Sequence, residues 1–99
     1  MELTELIEQK KKEFSPTIKR LETIKVIEYI LSKCIESQKE IISDCIYRHF
    51  DQVCEEYETV MQNVLSNKTY NRQTRIEERS IYLYNVLMTI IGKEKGRRC

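Results

Sequence analysis

The sequence predicts a small all-α domain of about four helices, and three observations support this fold class. The 99 residues include only two Gly and one Pro, and neither type occurs between Pro16 and Gly92. Such a chain favours long helices over a turn-rich β fold. Apolar residues recur at intervals of three and four along most of the sequence. The length suits one core, so we expect a single helical domain over 1–92, followed by a flexible basic tail at 93–99.

The first two helices are predicted over 2–13 and 16–36. Apolar residues of the first recur at helical spacing, namely Leu3, Leu6 and Ile7. Its acids come early and its lysines late, as the helix dipole favours. The second helix begins where Ser15 can act as the N-cap and Pro16 can occupy the first helical position. Its apolar residues cover more than half of the helix circumference, so we expect it to contact several neighbours.

A third helix is predicted over 38–65, and its start is the least well defined boundary. Ser37 and Glu40 have the spacing of a capping box, yet the apolar pattern runs through them almost undisturbed. A single bent helix is therefore the alternative. We favour a break, because a helix from 16 to 65 would far exceed the usual length of about 8 to 20 residues. Within the third helix the apolar residues step by three or four: Ile42, Ile46, Phe50, Val53, Tyr57, Met61 and Val64.

The last helix is predicted over 74–91, after a polar loop at 66–73. Thr74 and Glu77 form a second capping box, and Gly92 is placed to end the helix. The core face of this helix is marked by Ile76, Ser80, Leu83, Leu87 and Ile90. The predicted core of the whole domain consists of Ile27, Leu31, Ile46, Phe50, Val53, Tyr57, Leu83 and Leu87.

Charge is distributed unevenly, although the net charge is only +1. Residues 41–65 carry five acids against one arginine, which gives a local charge of −4. Residues 66–99 carry eight Lys and Arg against three Glu, which gives +5. The C-terminal third is therefore the only surface where nucleic-acid binding is plausible.

Three arginines, Arg72, Arg75 and Arg79, lie on one flank of the predicted core face of the last helix. A side chain there packs its methylenes against a neighbouring helix and points its guanidinium outward, which suits an interhelical ion pair or a phosphate contact. We favour ion pairing, because the neighbouring acids Glu77 and Glu78 reduce the positive charge of this surface. In addition, no known DNA-binding motif accompanies the three arginines. In the alternative, nucleic acid is bound by these arginines together with the tail residues Lys93, Lys95, Arg97 and Arg98.

Four acids, Asp44, Asp51, Glu55 and Glu58, are predicted to form a row opposite the core face of the third helix. Outward charges of this kind usually only keep a helix solvated. The alternative is a docking surface for a basic partner, such as the positively charged C-terminal segment of another copy, whose association would weaken in salt.

No metal or catalytic motif emerges from the cysteines and the single histidine. Cys45 and His49, four residues apart, could face one metal ion, but Cys54 points about 140° from His49 on a helical wheel. A metal site needs three or four converging ligands, so we expect no metal and no cofactor. As a catalytic pair Cys45 and His49 lack an orienting group, so we expect the protein not to be an enzyme.

A second packing surface is predicted on the last helix. Ile81 and Met88, seven residues apart, lie on the far side from the core face, with Tyr84 nearby. An apolar row outside the core is a sign of a partner, and the broad apolar face of the second helix points the same way. We therefore expect a homo-oligomer, most simply a dimer.

The chain is very short, has several cysteines and contains stretches dominated by Ile, Lys, Glu and Tyr, such as IKRLETIKVIEYILSKCIESQKEII. In this composition it resembles small orphan proteins encoded by filamentous and rod-shaped viruses of hyperthermophilic archaea. The resemblance implies an intracellular viral accessory or structural protein. No apolar run approaches the ~20 residues that cross a bilayer, and no signal-like segment begins the chain, so we expect a cytoplasmic protein.

Overall fold

The computed structural model describes residues 3–13, 18–66 and 75–97, and it confirms the all-α fold class. The helices are α1 (Leu3–Glu13), α2 (Ile18–Lys33), α3 (Glu36–Arg48), α4 (Phe50–Ser66) and α5 (Ile76–Arg97). No strand occurs within these three ranges. The predicted caps at Ser15, Pro16 and Thr74 and nearly all of the predicted loop at 66–73 lie outside the described residues.

The chain forms five helices rather than four, because the helix predicted over 38–65 is interrupted at His49. The backbone of His49 is non-helical, with φ −125° and ψ 35°. Its N–H donates to the Cys45 carbonyl, and its carbonyl accepts from the Val53 N–H, so the junction keeps its hydrogen bonds. The change of direction lets α3 pack against α1 while α4 packs against α2.

The break predicted at the start of α3 is present, but its position and chemistry differ from the prediction. It lies at Cys34 and Ile35, before the predicted Ser37. Ile35 occupies the N-cap position with an extended backbone, and no side-chain hydrogen bond caps the helix. The capping box of Ser37 and Glu40 is therefore wrong, since both residues lie within the helix.

Helix α5 does not end at Gly92, as predicted, but continues to Arg97. Gly92 does not adopt the positive φ that a glycine C-cap requires. Residues 93–97 of the predicted tail are thus helical, and 98–99 lie outside the described residues. Contacts of Glu94 with the α3–α4 junction, described below, help to hold this extension.

Helix α5 is central to the packing, because α2, α3 and α4 all contact it. Seven of the eight predicted core residues are buried, whereas Leu31 is only half-buried. On the predicted core face of α5, Ile76 is exposed and Ser80 is half-buried, because the first turn of the helix extends past the core. The side chains most completely buried are Thr23, Ile24, Val26, Ile27, Ile42, Cys45, Ile46, Val53, Cys54, Leu83 and Leu87.

Candidate interaction surface

The predicted interface residues Ile81 and Tyr84 lie on an open groove, here called the Ile81 groove, between α5 and the α2–α3 junction. Its volume is about 280 Å³. Ile81 is 61% exposed, while Tyr84 is half-buried. The lining residues are Tyr29, Ile30, Lys33, Cys34, Gln38, Ser80, Ile81 and Tyr84.

Two exposed isoleucines that the sequence analysis did not single out lie beside the Ile81 groove. Ile35 is 63% exposed and follows Cys34, which lines the groove. Ile41 is 51% exposed and lies three residues after Gln38, on the same side of α3. Met88, in contrast, is half-buried against the core and does not line the groove. The exposed apolar surface therefore extends from α5 towards α3 rather than along α5 alone.

Of the three arginines, Arg79 is placed between helices. Its Nη1 lies 3.6 Å from Glu22 Oε2 of α2, and its side chain is 19% exposed. Arg75 is exposed and precedes α5, and Arg72 lies outside the described residues. In the C-terminal set, Lys93 is exposed, whereas the side chains of Lys95, Arg97 and Arg98 are not described. Among these seven cations only Arg75, Arg79 and Lys93 have described side chains, and of these Arg79 lies beside a carboxylate of α2.

Three acids of the predicted row, Asp44, Asp51 and Glu55, are exposed, but the prediction is wrong for Glu58, which faces α2 instead of solvent. Arg20 of α2 donates from Nε to Glu58 Oε2 at 2.7 Å and from Nη2 to Oε1 at 3.2 Å. The two side chains are only 14% and 13% exposed. The Thr23 hydroxyl is within hydrogen-bond distance of the same Oε2, at 2.9 Å. Asp51 lies 3.9 Å from Arg20 Nη1, so this end of α4 is bound to α2 by charge.

A second and larger groove lies between α4 and α5. This α4–α5 groove has a volume of about 600 Å³ and is lined by Glu55, Glu56, Thr59, Val60, Tyr82, Asn85, Val86 and Thr89. Helix α4 contributes the acids, and α5 contributes neutral residues only. Glu55 belongs to the predicted acidic row, whereas Glu56 does not.

His49 takes part in a polar cluster at the α3–α4 junction. Its Nε2 lies 2.5 Å from Glu94 Oε1, and Arg48 Nη2 lies 2.9 Å from Glu94 Oε2. Arg48 also pairs with Asp44 one turn earlier. The hydrogen bond to His49 lowers the pKa of the Glu94 carboxyl, and the bond from Arg48 acts in the same direction. Within the three described ranges, no three His, Cys, Asp or Glu side chains are arranged to hold a metal ion.

Two buried cysteines have little nucleophilic character. Burial raises the pKa of the Cys45 thiol to about 11 and that of the Cys54 thiol to about 12. The thiolate is the reactive form, so both groups are almost entirely unreactive at neutral pH. Cys34 is half-buried, and burial raises its pKa as well.

We expect Cys34 to be the first of these three cysteines to be alkylated in the native protein. In a Cys99→Ser variant, iodoacetamide should label one site under native conditions and three in urea, as counted by mass spectrometry. The matched control is Cys34→Ser/Cys99→Ser, which should show no rapid labelling before unfolding. Equal labelling rates at Cys34 and Cys54 in the folded protein would contradict the burial described here.

Comparison with known proteins gives no match: no protein-family model, no curated protein and no solved structure is similar to this chain. Among the helices of the described residues, none is long and apolar enough to span a bilayer.

Proposed function

We propose that the protein is a small, non-enzymatic helical interaction module that associates with itself through the Ile81 groove. The observation that carries this proposal is the exposure of three large aliphatic side chains, Ile35, Ile41 and Ile81, on or beside this groove. Scattered apolar residues are ordinary on a surface, but a contiguous apolar patch is typical of an interface. A symmetric dimer would use the groove of both copies at once and so would cover each patch.

The chemistry of the most reactive side chains supports a role without catalysis. The one Cys–His pair at helical spacing combines Cys45, whose thiol is protonated at neutral pH, with His49, which contacts Glu94. The compositional resemblance to viral proteins supports an accessory or structural role in the cytoplasm of a host cell. Nucleic-acid binding through the basic end of the chain is the alternative function, although Arg79 already lies near Glu22.

The effect of Ile81→Asp on self-association tests this proposal. We expect the native protein to sediment as a dimer whose affinity changes little with salt, because apolar burial provides the affinity. The variant should dimerise about tenfold more weakly or worse, since each copy would place a charge in the interface. Light scattering and sedimentation at low and moderate salt measure the dimerisation affinity of the native protein and of the variant.

The matched control is Asn85→Asp, which adds the same charge at an exposed position of α5 outside the Ile81 groove. It should dimerise like the native protein.

Titration with duplex DNA in the same buffers tests the alternative function. A monomeric native protein that binds DNA with a steep salt dependence would contradict self-association and favour nucleic-acid binding.

A further inference from the structure

Within residues 3–13, 18–66 and 75–97, the two acids of the α4–α5 groove differ from the other acids of α4 because they form no ion pair. Asp51 and Glu58 interact with Arg20, as described above. Glu55 and Glu56 form no ion pair with any residue that the structure describes. The negative charge of α4 that remains available to a partner is therefore concentrated at one edge of this groove.

The floor of the groove is apolar. Val60 and Tyr82 are half-buried, and Val86 is buried, so these side chains present apolar surface at the bottom of the groove. The hydroxyls of Thr59 and Thr89 donate to the carbonyls of Glu55 and Asn85, one turn earlier in their own helices. Neither hydroxyl needs a partner inside the groove. A ligand would thus meet an apolar floor with acids along one side.

We propose that the α4–α5 groove binds a basic amphipathic helix of a partner protein. Its lining residues span 55–60 on α4 and 82–89 on α5, a length of roughly 8 to 10 Å, which accommodates about two turns of a helix. Apolar residues at positions i, i+3 and i+4 of the partner would contact Val60, Tyr82 and Val86. Lysine or arginine on the same flank would then meet Glu55 and Glu56. A helix docked there would contact both α4 and α5, as α2 does within the fold.

The occupant is assigned to a partner rather than to another copy of this chain, because the two lysine- and arginine-rich ends of this chain, α1 and the C-terminal segment, offer no free apolar residue to the groove. In α1, three lysines follow Leu3, Leu6 and Ile7, but those apolar residues pack on the core. The C-terminal segment GKEKGRRC carries four cations and no large aliphatic or aromatic residue. This inference does not depend on self-association through the Ile81 groove, because the two grooves share no lining residue.

A model peptide tests the proposal. The probe is a fluorescein-labelled amphipathic helix of about 18 residues, with leucine at i, i+3, i+4 and i+7 and lysine at the remaining positions. Fluorescence anisotropy is measured in the Ile81→Asp background, so that failure of self-association cannot affect the result. We expect binding that weakens with salt, and about fivefold weaker binding for Glu55→Gln/Glu56→Gln. Asn85→Arg, at an exposed position of the lining, should weaken binding at least as much.

The matched control is Glu36→Gln/Glu40→Gln, which removes the same charge from two exposed acids of α3. It should change the affinity less than twofold. A scrambled peptide of identical composition separates specific docking from general attraction of lysine to the protein, and we expect it to bind at least fivefold more weakly. Equal effects of the two double variants, equal binding of the scrambled peptide, or undiminished binding to Asn85→Arg would each overturn the proposal.

Discussion

Replacing Leu83 with aspartate is expected to leave the chain without a cooperative unfolding transition. Leu83 is completely buried where α5 meets the core. Removing its side chain alone would cost about 2 to 5 kcal/mol, and the buried carboxylate adds several kcal/mol more. A domain of this size has a total stability of only about 5 to 15 kcal/mol. Urea and thermal unfolding followed by circular dichroism at 222 nm measure the result.

The control for this substitution lies two residues earlier on the same helix. Ile81→Asp introduces the same carboxylate at a position that is 61% exposed, so the chain should keep its helical signal and a cooperative transition, and its midpoint should fall only by the amount that weaker self-association causes. A folded Leu83→Asp protein with native stability would place Leu83 outside the core and would require a different packing of α5.

The second large loss of stability is expected when the ion pair between α2 and α4 is broken. Glu58→Leu should lower the free energy of unfolding by about 2 kcal/mol, because the largely buried Arg20 guanidinium would lose both hydrogen bonds to Glu58, and Asp51, at 3.9 Å, is too far away to replace them. The Thr23 hydroxyl would lose one acceptor but could still donate to the Lys19 carbonyl. Urea denaturation of both proteins at neutral pH provides the comparison.

Restoring charge balance tests the cause of this loss. The double variant Arg20→Met/Glu58→Leu should recover most of the lost stability, because it removes the largely buried guanidinium together with its carboxylate and preserves apolar volume. The control is Glu28→Leu, which removes a more exposed carboxylate that pairs with Lys11 at 3.1 Å. This substitution should lower the free energy of unfolding by less than about 1 kcal/mol. If Glu58→Leu were as harmless as Glu28→Leu, the Arg20–Glu58 pair would have no special role in joining α2 to α4.

The elements that the sequence predicted well are those whose apolar periodicity is strong. The step of three and four residues through α4 and α5 identified Phe50, Val53, Tyr57, Leu83 and Leu87, and all of them are buried. The same wheel placed Ile81 away from the core. Such predictions succeed because burial of one face is the main source of helix stability in a folded domain.

Sequence signals for helix ends predict the helix boundaries less well. The apolar pattern continues across His49 without a change of phase, so nothing in the sequence marks the junction between α3 and α4. Gly92 resembles a helix terminator, but tertiary contacts of Glu94 outweigh its weak helix propensity, which amounts to about 1 kcal/mol relative to alanine. Glu58 was assigned to a solvated face because a helical wheel drawn for one helix does not show that α2 lies beside that face.

The candidate surfaces could be predicted only in part, because they too depend on how neighbouring helices pack. Ile81 and Tyr84 could be recognised from α5 alone. Ile35 and Ile41 could not, because their exposure depends on where α3 begins and how it packs against α5. Glu56 is functionally interesting only once α4 and α5 are seen to enclose a groove.

The single-residue junction at His49 also determines whether the chain can fold back on itself. If α3 and α4 were fused by helical geometry at this position, residues 36–66 would form a rod of about 46 Å. The longest dimension of the molecule is 40 Å. Such a rod would move the apolar residues of α4 away from α2, so the apolar faces of both helices would be exposed. A second chain could cover these faces by exchanging identical helices. The bend at His49 is thus what separates a closed monomer fold from a domain-swapped assembly.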